Sequence, residues 1–218
     1  MSYTGKVTEG GPADVRELSR LMITKMVVGD FGNNTYLLRC RRTDEQVLVD
    51  AAAEPERILS LVGRGGLAKV VTTHQHGDHW GALADVVEAT GATTYAGAHD
   101  AEGIPVPTDV LVEDGDTITV GDCTLTAIHL VGHTPGSIAL LYDDPDGTPH
   151  LFTGDCLFPG GVGNTFGSKE NFDSLLHDVT TKLFDRLPDE TWFYPGHGDD
   201  SVLGAERPKI PEWRERGW

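Results

Sequence analysis

Short apolar runs rich in β-branched residues recur along the chain: MITKMVVG (22–29), TYLLRC (35–40), QVLVDA (46–51) and AKVVTTH (68–74). Their length and their Val, Ile and Thr content predict strands. Between them, PERILSLVGRGG (55–66) sets Ile58, Leu59 and Val62 at helical spacing and stops at glycine, and WGALADVVEATG (80–91) repeats the design. The second half continues with TITV (117–120), CTLTAIHLV (123–131), SIALLYDD (137–144) and HLFTGDCLF (150–158) as strands, a helix near 170–187, and a last strand in TWFYPGHG (191–198). Strands alternating with helices predict sheets covered by helices, and a weak likeness between the halves hints at duplication. Residues 1–20 lack periodicity and read as a loosely packed N-terminal arm. The tail PEWRERGW (211–218) carries Trp213 and Trp218, which are expected to pack on the body.

A chain of 218 residues fits one domain, 1–218, large enough to bury roughly 70% of its unfolded surface without disulfides. With 39% hydrophobic residues, 27 glycines and 12 prolines, it reads as a loop-rich globule. A formal charge of -17 repels phosphate backbones and anionic lipid, so neither nucleic acid nor a membrane is an expected partner. No apolar run suits a signal peptide or a bilayer span, and Cys40, Cys123 and Cys156 are too few and too scattered for a disulfide framework. These features together point to the cytoplasm.

Chemistry concentrates in THQHGDHWGAL (73–83), where three of nine histidines and an aspartate fall within positions 74–79. If the chain stays extended beyond its strand, His74, His76 and Asp78 project to one side and His79 elsewhere. A helix opening near Trp80 would instead put Asp78 and His79 in its first turn, so one loop could serve two ions. Three imidazoles packed together without a metal would repel on protonation, so the cluster points to metal binding. Imidazole and carboxylate suit Zn, Fe, Mn or Co, and nothing resembles a thiolate-rich structural zinc site. Further ligands stand after other strands, each beside glycine: His133 in GHTPGS, Asp155 in FTGD and His197 in PGHG. His99, His129, His150 and His177 fall outside this pattern.

The set formed by HxHxDH at 74–79, GHTPGS, FTGD and PGHG closely resembles the metallo-β-lactamase fold hydrolases, in the glyoxalase II-like branch, from about Thr35 to His197. The resemblance implies an α/β fold of αββα sandwich type with the site along one edge of two mixed sheets. It also implies two divalent ions, zinc first with iron or manganese as alternatives. His74, His76 and His133 would hold one ion, Asp78, His79 and His197 the other, and Asp155 would bridge them. The reaction implied is hydrolysis of a thioester or ester by water activated between the ions, with Asp78 orienting it or passing a proton. Two ions, two carboxylates and one hydroxide leave a formal charge of about +1, which favours an anionic or acyl-thiol small molecule.

Two departures bear on the thiol. Only residues 198–218 follow His197, where glyoxalase II carries a helical domain that grips glutathione, and neutral Asn164 stands where glutathione-acting relatives tend to have a basic residue. Both disfavour glutathione. Cys156, a neighbour of Asp155 on a strand, points to the opposite face and reads as core. Rival readings are a mononuclear iron persulfide dioxygenase, a lactonase or β-lactamase, and a non-catalytic binding module; a nuclease would need a basic face.

Overall fold

The computed structural model describes residues 3–217. The apolar runs become strands, most of them buried on both faces, with Thr117–Val120 and Cys123–His129 buried mainly on one. β1 (Asp14–Glu17), β2 (Leu21–Val28), β3 (Asn33–Cys40), β4 (Gln46–Val49), β5 (Lys69–Thr72), β6 (Thr93–Gly97) and β7 (Val110–Val112) form one sheet in chain order. Pairing is antiparallel from β1 to β4 and parallel from β4 to β7, with α1 (Pro55–Val62) and α2 (Leu83–Thr90) as the first two crossovers. The second sheet holds β8 (Thr117–Val120), β9 (Cys123–His129), β10 (Ile138–Tyr142) and β11 (His150–Gly154) as an antiparallel meander. After a hairpin of β12 (Leu157–Phe158) and β13 (Gly161–Val162), α3 (Lys169–Asp178) crosses to β14 (Trp192–Pro195), which pairs parallel to β11 and antiparallel to β15 (Ser201–Val202). α4 (Leu203–Glu206) and α5 (Ile210–Arg216) close the described chain. In both halves an antiparallel meander leads through a helix to a parallel strand, as the duplication hint suggested.

Alternation along the strands divides the core into three slabs. Val47 and Val49 face the second sheet's Leu140 and Phe152, while Leu48 turns outward to Ile58 of α1 and Val86 of α2. Phe152 faces inward, and its neighbours in the outer slab, Leu151 and Phe193, meet Phe172 and Leu175 of α3. Helix, sheet, sheet, helix is the αββα sandwich, and burial on both faces explains why the strands read as continuous apolar runs.

Several expectations change. The arm is not loose throughout: Asp14–Glu17 pairs with β2, the Tyr3 ring lies 6.0 Å from that of Trp192, and the Gly5 carbonyl accepts a 2.8 Å hydrogen bond from Lys25. Covering the β2 edge satisfies backbone groups that would otherwise be exposed there. Beneath it, Lys25 and Asp200, both fully buried, form an ion pair at 2.6 Å. α2 begins at Leu83 and not near Trp80; Gly77–His79 form a separate single turn of 3₁₀ helix. α3 ends at Asp178 and continues as a wider π-helical turn, Val179–Phe184. Trp213 is buried against Phe184, whereas Trp218 lies outside the described residues. Among the described residues no helix is long and apolar enough to cross a membrane.

Candidate metal centre

The seven sequence-selected residues converge at one edge of the sandwich, beyond the C-terminal ends of β5, β9, β11 and β14. His74 Nε2 lies 3.0 Å from His76 Nδ1 and 3.2 Å from His133 Nε2. Ligand atoms about 2.0–2.1 Å from a tetrahedral ion stand roughly 3.3 Å apart, so this triangle has the span of a metal-binding face. In a second group, Asp78 Oδ2 is 3.3 Å from His197 Nε2 and 3.6 Å from His79 Nε2. Asp155 sits between: Oδ1 is 3.4 Å from His79 Nε2, and Oδ2 is 3.5 Å from His197 Nε2 and 3.8 Å from His133 Nε2. The chain is not extended through 74–79. The 3₁₀ turn at Gly77–His79 brings Asp78 and His79 to His197 while the His79 ring stays 4.1 Å from that of His74, which is how one loop supplies both groups.

Whether these side chains fit metal ions is answered by their outer nitrogens. His79 Nδ1 lies 2.8 Å from Asp50 Oδ2, His133 Nδ1 2.8 Å from the Asn164 carbonyl, and His197 Nδ1 3.1 Å from the Phe31 carbonyl. Each acceptor requires the N–H at Nδ1, so that in the neutral ring Nε2 presents its lone pair to the centre. Thr73 Oγ1 donates to Asp50 Oδ2, so its lone pair faces His74 Nδ1 at 3.1 Å and sets the same tautomer there. Buried His79 Nε2 and Asp155 Oδ1 have no hydrogen-bond partner among the described residues. A donor set of bare imidazole nitrogens and carboxylates, with orphaned atoms at its middle, fits divalent ions of the zinc, iron and manganese class.

Electrostatics agree. Burial, then neighbouring His79, holds His74 well below its ordinary range, and burial likewise lowers His133. Burial works to lower His79 too, but the Asp50 and Asp155 carboxylates overcome it and raise the ring to about 10. Burial tends to raise Asp155, yet the facing rings of His197 at 3.5 Å and His79 at 3.4 Å hold it well below the usual carboxylate range. Asp78 is lowered in the same manner, burial being outweighed by the Asn33 hydrogen bond at 3.0 Å and by His79. Without metal, protons do the work of cations here.

Sequence reasoning passed over three supporting residues. Asp50 is buried at φ 60° and accepts from Thr73 N at 2.7 Å, Thr73 Oγ1 and His79. It ends the run QVLVDA, so the strand-end reasoning that found Asp155 could have found it. Asn33, the first residue of β3, and Asp100, after β6, carry no comparable signal. The remaining histidines stay apart from the centre: His150 bonds the Tyr194 hydroxyl and His129 the Pro135 carbonyl. Cys156 lies in the outer apolar slab, where burial pushes its thiol up.

Two cavities flank the cluster. One of about 520 Å³ is lined by Gly163, Asn164, Thr165 and Lys169 on the His133 side. The other, about 540 Å³, is lined by Glu9, Phe31 and His197. Phe166, 68% exposed and at φ 54°, holds its ring 5.6 Å from that of His76. An exposed phenylalanine in the left-handed region is uncommon, and this one stands beside the rings of both His76 and His133.

Residues 28–197 match the family described as the Metallo-beta-lactamase superfamily. A hydroxyacylglutathione hydrolase of Polaromonas sp. is 34% identical over 77% of this chain, which spans only 62% of that relative's length. The probable metallo-hydrolase YqgX of Bacillus subtilis is 30% identical over 86% of this chain and 95% of its own. Among solved structures, ETHE1 from Myxococcus xanthus matches with a TM-score of 0.77 at 30% identity, covering 88% of this chain and 84% of that one. Fold, ligand constellation and matches converge: the chain belongs to the metallo-beta-lactamase superfamily, in its glyoxalase II-like branch.

Proposed function

We propose that the protein is a binuclear metallohydrolase that cleaves a thioester or ester of an anionic or acyl-thiol small molecule. The observation that carries this reading is that four outer nitrogens are each engaged by a fixed oxygen, leaving four Nε2 lone pairs aimed inward. His74, His76 and His133 would hold one ion, Asp78, His79 and His197 the other, and Asp155, whose Oδ2 faces both groups, would bridge them. Divalent ions there would acidify water toward a pKa of roughly 7 and polarise a carbonyl oxygen.

The chain's own residues supply the rest. Asp78 is ionised at neutral pH, and its Oδ2 is held by Asn33 at 3.0 Å while it also faces the ring of His197. It can therefore orient the attacking water and take its proton. The Phe166 ring screens the His76 and His133 edge from bulk water, which strengthens electrostatics inside the site. The cavity lined by Phe31 and His197 gives a substrate room beside the second group, and the one lined by Gly163 and Asn164 gives room beside the loop that holds His133. Asn164 is absorbed in its own loop: its carbonyl accepts from His133 and its Oδ1 from Phe166 N at 2.8 Å. That supports a thiol carrier other than glutathione.

The test is elemental analysis beside a panel of acyl thioesters, esters, lactones, β-lactams and persulfides. About two metals per chain with chelator-sensitive thioester or ester hydrolysis is expected. One iron per chain with oxygen uptake on persulfide would replace this reading with the dioxygenase, and lactone or β-lactam turnover alone would redirect the substrate.

A further inference from the structure

We propose that Asp100 is a positioning residue that sets the separation of the two loops carrying His76 and His133, and with it the first metal site. The inference rests on the metal-centre reading above and concerns a side chain that touches no ligand atom.

Asp100 follows β6, and its residue is fully buried. One oxygen, Oδ2, accepts from the backbone N–H of Gln75 at 3.0 Å and from the Thr134 hydroxyl at 2.5 Å. The other, Oδ1, accepts from Gly136 N–H at 2.7 Å. Gln75 lies between His74 and His76, and Thr134 follows His133, so one carboxylate clasps a loop of the first sheet to a loop of the second. The Gln75 peptide is held from its other end as well, its carbonyl accepting from Trp80 Nε1 at 2.8 Å. The loops close tightly on the clasp: a Cβ at Gly136 would stand 2.3 Å from Asp100 N, and one at Gly97 would stand 2.0 Å from the Gly136 carbonyl. Backbone at that distance tolerates no substitute for glycine, which fixes where the carboxylate meets its donors.

Among the described residues no ion pair includes Asp100, so this buried charge is satisfied by neutral donors alone. A buried carboxylate without a cation is costly, and three convergent donors offset that cost only in one arrangement of the two loops. An amide cannot replace it. In Asp100→Asn the oxygen can serve Gly136, which places the NH₂ against Gln75 N–H, donor facing donor. Relief requires the 74–76 loop to move from the 133–137 loop, which widens the His76–His133 side of the triangle. The Asp78, His79 and His197 group is anchored separately, through Asp50, Asn33 and the Phe31 carbonyl, and keeps its geometry.

Metal uptake, read without any substrate, tests this. Zn²⁺ affinities of metal-free wild-type protein and of Asp100→Asn are measured by competition with a chromophoric chelator, and Co²⁺ spectra report each site's geometry. Loss of a partner that orients ligands typically weakens metal binding about 10–100-fold. That loss is expected at one ion only, with one Co²⁺ band system altered and the other kept. Thr134→Ser should retain wild-type affinity, whereas Thr134→Val should weaken the same ion and add little in the Asp100→Asn background. Thr134→Val also serves if Asp100→Asn does not fold. Equal weakening of both ions, or unchanged uptake with only a lower melting temperature, would overturn the assignment and leave Asp100 a structural residue. Wild-type protein that takes up no Zn²⁺ or Co²⁺ would instead overturn the metal centre itself.

Discussion

Asp50→Asn tests how the proposed metal ions would be held. The substitution preserves size, and asparagine tolerates φ 60° as readily as aspartate. Oδ1 accepts a backbone N–H from Thr73 at 2.7 Å, a donor that cannot invert, so the amide oxygen must occupy that place. The NH₂ then stands where Oδ2 now accepts from His79 Nδ1 at 2.8 Å. His79 can answer only by presenting a lone pair at Nδ1, which moves its proton to Nε2, the atom aimed at the second site and 3.4 Å from Asp155 Oδ1. A ligand nitrogen that carries a proton is no ligand. Thr73 Oγ1 likewise loses its acceptor at Oδ2 and turns its hydrogen toward His74 Nδ1, so both groups are disturbed, and the expected loss in zinc affinity is about 10–100-fold, or roughly 1.4–2.8 kcal/mol. Zinc competition against a chromophoric chelator measures both constants. Two wild-type affinities in Asp50→Asn would refute the tautomer argument.

Other outcomes follow from the same structure. Because His79 is raised to about 10 in the metal-free site, its second proton must leave when metal enters, so zinc binding at pH 7.5 should release at least about one proton per chain. Calorimetry in buffers of different ionisation enthalpy measures this, and zero release would contradict the Asp50 and Asp155 account. Lys25→Met strands the buried Asp200 carboxylate and the Gly5 and Gly198 carbonyls, which should destabilise the fold by about 3–5 kcal/mol and lower the melting temperature by roughly 6–20 °C. A shift under about 2 °C would show the pair to be dispensable. Burial, then Arg16, lowers His150 to about 3 from 6.5, so between those values the unfolded chain binds more protons than the folded one. Stability should therefore fall as pH drops from 6.5 toward 3, by up to about 1.4 kcal/mol per pH unit from this group, and His150→Gln should flatten that limb in urea titrations. Parallel limbs would remove His150 as a cause.

Local patterning carried much of the result. The runs that became β2 to β5, β10 and β11 bury both faces, so composition alone marked them, and α1 and α2 were legible from apolar spacing and a terminal glycine. Weak edges were not. β6 and the paired segment of the arm have few apolar residues, β7 is only three residues long, and all three owe their strand form to the neighbour they pair with. The HxHxDH turn was legible as a cluster but not as a shape, because whether alternate residues share a side depends on backbone angles that the turn at Gly77–His79 sets.

What the sequence by itself determined is the class of fold and the donor chemistry: apolar strands that must be covered on two faces, and histidines and aspartates crowded beside glycine at strand ends. What only the tertiary structure decided is which donors share a centre and which nitrogen each imidazole turns inward. Asp50, Asp100, Asn33 and the Phe31 and Asn164 carbonyls reach their partners from loops distant in sequence or from the other sheet. A hydrogen bond that sets a tautomer exists only after the sheets have packed, and no local pattern announces an acceptor that far along the chain.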